Sequence, residues 1–81
     1  MHIGFSPAAW RQWKRLPLAA QDRLRAKLVQ YAEEPLRHAI KLTDPRIGQY
    51  RFRIGEYRIV FDLGADTLLV LAVGHRKDIY R

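Results

Sequence analysis

The chain has 81 residues, no cysteine and a formal net charge of +7. One domain over 1–81 is therefore expected, with a thin core and function carried on an open face or shallow groove. Disulfides and cysteine-ligated metals are excluded, His2, His38 and His75 lack ligand spacing, and no apolar run nears a membrane span or signal-peptide core. No cofactor is expected, and a cytoplasmic location is.

Ile3 and Phe5 alternate with their neighbours, which predicts a short first strand. Ser6-Pro7 reads as an N-cap with proline at the first helical position. A first helix over 7–16 follows, with Ala9, Trp13 and Leu16 on its buried stripe. Trp10 falls off that stripe and should be partly exposed. Pro17 breaks the helix. A second helix over 18–33 turns Leu24, Leu28, Tyr31 and Ala32 inward and Arg23, Arg25, Lys27 and Gln30 outward. Pro35 ends it. Residues 36–49 have little periodicity and read as a loop with at most one extended stretch.

From Tyr50 the period changes to two. Tyr50 to Ile54 is a strand, Gly55-Glu56 a two-residue turn suited to type II′, and Tyr57 to Leu63 the return strand. Gly64-Ala65-Asp66 turns the chain again, and Thr67 to Val73 is the last strand. The fold class is α+β, in the order β-α-α-β-β-β, with a helical hairpin on one face of a small, mainly antiparallel sheet.

The turn at 55–56 fixes a register. It puts Arg53 opposite Arg58 and Phe52 opposite Ile59. Tyr50, Phe52, Ile54, Tyr57, Ile59 and Phe61 then share the face under the helices. Arg51, Arg53 and Arg58 share the other. A three-residue second turn would pair Ile59 with Leu71 and Arg58 with Ala72, send Leu69, Leu71 and Val73 to the core, and bring Arg76 to the arginine face. Like charges directly opposite one another destabilise a sheet by about 0.2–1 kcal/mol per pair. Local conflicts of this kind tend to mark functional sites. The basic residues are 11 Arg against 4 Lys, and Arg offers a planar fork that fits phosphate oxygens. Phosphate of nucleic acid is the ligand this pattern suits; a solvated edge with splayed arginines is the alternative.

The run Tyr50-Arg51-Phe52-Arg53-Ile54-Gly55-Glu56-Tyr57-Arg58-Ile59-Val60-Phe61 resembles the central hairpin of the RelE/ParE toxin superfamily. Gly74-His75-Arg76-Lys77-Asp78-Ile79-Tyr80-Arg81 resembles the C-terminal motif of its RelE branch. The resemblance implies the toxin of a type II toxin–antitoxin system, held by a cognate antitoxin. It further implies a metal-independent endoribonuclease that cuts mRNA in the ribosomal A site by attack of the ribose 2′-OH. By position, the implied functional residues are Arg51, Arg53, Arg58, Arg76 and Tyr80. Arg58 and Arg76 would hold the scissile phosphate and Tyr80 would orient a base. Arg51 and Arg53, with Lys77 and Arg81, would grip the RNA backbone. Arginine cannot serve as a general base. His75 is the titrating candidate, but it reaches the site only if the chain turns at Gly74; otherwise it is a structural histidine. The rival implied by the ParE branch is a non-enzymatic inhibitor of DNA gyrase. A third reading is an inactive basic RNA-binding domain.

Overall fold

The computed structural model describes residues 1–79. The chain runs β1 (His2–Phe5), α1 (Pro7–Arg15), α2 (Leu18–Tyr31), α3 (Pro35–His38), β2 (Ile40–Lys41), β3 (Tyr50–Ile54), β4 (Tyr57–Leu63) and β5 (Thr67–His75). The strands form one sheet in the order β1-β5-β4-β3-β2. β1 runs parallel to β5, and the other pairs are antiparallel.

Each predicted element has its local cause. The Ser6 hydroxyl accepts the Ala9 N–H at 3.1 Å and caps α1, with Pro7 at the first helical position. α1 and α2 each stop short of the expected limit, at Arg15 and Tyr31. The two-residue β2 is the one extended stretch expected in 36–49, while the four-residue α3, started by Pro35, is an addition to the expected loop. Proline sets the first dihedral of α3, and His38 stacks on Tyr31 at a ring separation of 4.1 Å.

The core lies between the helices and one sheet face. Trp13, Leu24 and Leu28 pack with Phe52, Ile59, Phe61, Leu68, Val70 and Val73. Burying side chains of this size stabilises by about 1.5–3 kcal/mol each. Phe52 and Phe61 meet across the ladder at 4.3 Å. The N–H of Val73 lies beyond the reach of β1, which ends at Phe5; the Gln12 side chain of α1 accepts it at 2.9 Å.

The β3–β4 register is the expected one, with Arg53 opposite Arg58. Gly55 has φ +59 and Glu56 does not have positive φ, as a type II′ turn requires. The β4–β5 register differs from expectation in two places. Leu63 pairs with Leu68, so the turn is one residue longer than expected. Thr67 instead pairs with His2 of β1, and its carbonyl accepts the Gly64 N–H at 2.8 Å. That slip sends Leu68 and Val70 inward and leaves Leu69 37% exposed, against the expected placement of Leu69 in the core. A bulge beside Val60 and Phe61 then adds a second residue, Leu71. Two single-residue shifts restore the parity. Arg58 faces Gly74 rather than Ala72, Ile59 faces Val73 rather than Leu71, and the arginines keep their face.

Candidate nucleic-acid interface

The sheet face away from the helices is built by β3, β4 and β5. Arg53 is exposed, Arg51 is half-buried and Arg58 is buried at 7% exposure. A buried guanidinium needs acceptors. Arg58 Nη1 donates to the carbonyls of Gly55 at 3.1 Å and Tyr57 at 3.0 Å. Both belong to the β3–β4 hairpin end, so the Arg58 guanidinium is drawn toward the tip. Gly74, opposite Arg58, leaves the floor there flat, with nothing within 4 Å of where a Cβ would stand.

One wall of this face went unread in the sequence. The segment joining β2 to β3 folds over the far end of the face. Gly48 sits against Val60 and Leu71, where an added Cβ would come within 2.6 Å of Val60 Cγ1 and 3.1 Å of Leu71 Cδ1. Gln49 locks the segment down. Its N–H donates to Asp62 Oδ1 at 2.8 Å, and its Oε1 accepts the Leu63 N–H at 2.8 Å. The Arg46 side chain and N–H bond the Asp44 carboxylate at 3.0–3.1 Å and hold that carboxyl below the usual carboxylate range. Val60 is fully buried on the face opposite the helices because of this cover. The sequence signal is Gly48 and the apolar Val60 at an outward position; Leu71, expected in the core, is turned to this outer face by the bulge.

The C-terminal segment forms the opposite edge. β5 continues through Gly74 and His75 before the chain turns. Arg76 follows beside the hairpin tip. Its N–H donates to the Glu56 carbonyl at 2.7 Å, and its Nε lies 2.7 Å from Glu56 Oε2. Lys77 is exposed on the turn that follows. The structure therefore brings Arg51, Arg53, Arg58 and Arg76 to one side of the hairpin. His75 stays in the strand, because the turn at Gly74 does not occur, and its Nε2 lies 4.0 Å from Glu56 Oε2, beside Arg76. His75 pairs opposite Tyr57, on the helix-facing side. Its ring stands 5.9 Å from the Tyr57 ring, and its Nδ1 accepts the Lys77 N–H at 3.2 Å. That bond assigns the proton of a neutral ring to Nε2. Tyr80 and Arg81 lie outside the described residues.

The sequence matches the model of the ParE toxin of type II toxin–antitoxin systems (parDE) over residues 3–80. The chain belongs to the RelE/ParE toxin superfamily. It is a type II toxin of that family. Toxin RelG of Mycobacterium tuberculosis is 33% identical over 86 residues, covering 98% of this chain and 94% of RelG. The isolated RelE toxin of E. coli superposes with a TM-score of 0.76 at 26% identity, covering 91% of this chain and 82% of RelE. The RelBE2 toxin–antitoxin complex of M. tuberculosis matches with a TM-score of 0.70 at 29% identity, covering 93% of this chain and 96% of the matched one. The helices on one face of a five-stranded, mostly antiparallel open sheet are the RelE architecture. Among the described residues no helix is long and apolar enough to cross a membrane.

Proposed function

We propose that this RelE/ParE toxin is an endoribonuclease that cuts mRNA on the ribosome, and that a cognate antitoxin silences it. The observation that carries the reading is the gathering of Arg51, Arg53, Arg58 and Arg76 along one side of the β3–β4 hairpin. Two of these arginines face each other directly, a placement that costs stability and that a phosphodiester relieves. The resemblance to RelG and RelE supports the same class, and the solved RelBE2 complex supports an antitoxin partner. The ribosome as platform makes the cytoplasm its place of action.

In the reaction, the 2′-oxygen forms a bond to phosphorus and its proton passes to a base. The P–O5′ bond breaks, the 5′-oxygen gains a proton, and a cyclic phosphate remains. The described arginines supply charge to the phosphorane oxygens, Arg58 and Arg76 at the scissile phosphate and Arg51 and Arg53 on the flanking backbone. Lys77 and Arg81 add backbone contacts, and Tyr80 orients a base by stacking. His75, held between Tyr57 and Lys77, supports the turn that carries Arg76. Guanidinium groups stay protonated and take up no proton, so orientation has to supply much of the rate. A ribosome that fixes the mRNA provides that orientation.

The test is purified translation with the toxin added, with mRNA ends mapped by primer extension. New ends inside A-site codons, absent when ribosomes are omitted, are the expected result. Intact mRNA together with loss of DNA supercoiling by gyrase would overturn the reading in favour of a ParE-type inhibitor.

A further inference from the structure

We propose that Glu56 is a positioning residue that holds Arg76 at the edge of the arginine cluster. The inference rests on the ribonuclease reading and names a part of the same site.

Tyr57 pairs with His75 and Arg58 with Gly74, so the next position across the ladder joins Glu56 to Arg76. Beyond the end of β5, two contacts keep that register. The Arg76 N–H donates to the Glu56 carbonyl at 2.7 Å. The Glu56 carboxylate stands 2.7 Å from Arg76 Nε, with His75 Nε2 4.0 Å from the same oxygen. One turn residue thus grips both the backbone and the side chain of Arg76.

The grip answers a specific problem. Arg58 Nη1 bonds the Gly55 carbonyl at 3.1 Å, so the Arg58 guanidinium already occupies the tip. Arg53 lies opposite Arg58 on the same face. A third guanidinium at this end is repelled by the other two, and Arg76 lies past the last strand residue, where the backbone alone does not fix its side chain. The carboxylate supplies the attraction that holds it. It meets the guanidinium at Nε, and a guanidinium carries four further N–H donors for phosphate oxygens. A phosphate grip by itself would favour a neutral or basic residue at 56, because a carboxylate repels RNA. Its presence beside Arg76 is explained by placement of the arginine.

The test is a double-mutant cycle on single-turnover cleavage of ribosome-bound mRNA, with Glu56→Ala, Arg76→Ala and the double variant. Glu56→Ala should slow the maximal single-turnover rate about tenfold with the half-saturating toxin concentration little changed, as expected when a catalytic group is held loosely. In the Arg76→Ala background the same substitution should have no further effect. Glu56→Asp should recover part of the loss. An equal loss in both backgrounds would show a structural role for Glu56 and overturn the proposal. A rate unchanged or raised by Glu56→Ala would also overturn it, since the carboxylate would then be idle or a brake on RNA. Failure of the wild-type protein to cut would remove the ribonuclease reading itself, and this role with it, and is seen in the control lane.

Discussion

Arg53 stands directly opposite Arg58 in the β3–β4 ladder, one side chain exposed and the other buried. The buried member has carbonyl acceptors, so the exposed one is the member that can be replaced without disturbing buried hydrogen bonds. Replacing Arg53 with Thr removes the like-charge pair and keeps strand propensity. Arg53→Thr should raise unfolding stability by about 0.2–1 kcal/mol in urea titration. The same variant should bind single-stranded RNA more weakly, with a shallower dependence on salt. A stability gain coupled to a binding loss identifies a position kept for function.

Gly48 packs against Val60 and Leu71 where the β2–β3 segment crosses the sheet. Its φ of +156, and the 2.6 Å that would separate an added Cβ from Val60 Cγ1, leave no room for a side chain. Gly48→Ala should cost about 1–3 kcal/mol, as overpacking generally does. Urea unfolding would measure it. A compensating Val60→Ala should restore part of the loss, because it removes the methyl group in the way.

The two tryptophans should separate cleanly. Trp13 is 4% exposed against Phe5 and the sheet, and Trp10 is 48% exposed. Trp13→Ala should cost about 3–5 kcal/mol, most of the stability of a domain this small. Trp10→Ala should change the unfolding midpoint little and cut the exposed tryptophan fluorescence.

The Asp44–Arg46 pair gives a pH signature. Hydrogen bonds from Arg46 lower the Asp44 carboxyl in the folded state. Its contribution is therefore present above the unfolded carboxylate value and lost as pH falls through the folded one. The Arg46 amide resonance should titrate with a midpoint below the ordinary aspartate value. Arg46→Ala should move the Asp44 midpoint back toward that value, the residue 46 N–H keeping part of the lowering, without moving the Arg51 or Arg53 signals.

The sequence showed the hairpin because its period of two, its Gly55 turn and its aromatic face all agree on one register. It showed the arginine face for the same reason. The β4–β5 register was not legible, since the extra turn residue depends on Thr67 pairing with His2, more than sixty positions away. The bulge at Leu71 has no local marker either. The two offsets cancel in parity, which is why Arg58 and Gly74 lie on the expected face although Arg58 pairs with Gly74 and not Ala72. The wall around Gly48 was hidden because its contacts, to Val60, Leu71 and Asp62, are all tertiary. His75 was open in the sequence because its side depended on where β5 ended, and β5 runs through it.

Whether the arginine face performs chemistry is tested most directly by the single-turnover cleavage rate of Arg76→Ala beside the wild-type protein, on ribosomes stalled with a defined A-site codon. Circular dichroism and urea unfolding would first show that the variant keeps its fold, as an exposed side chain at this edge allows. The rate is expected to fall about 10²–10³-fold, the effect of removing a charge donor from a transition state. Equal rates in the two proteins would contradict the assignment of the scissile phosphate to this face.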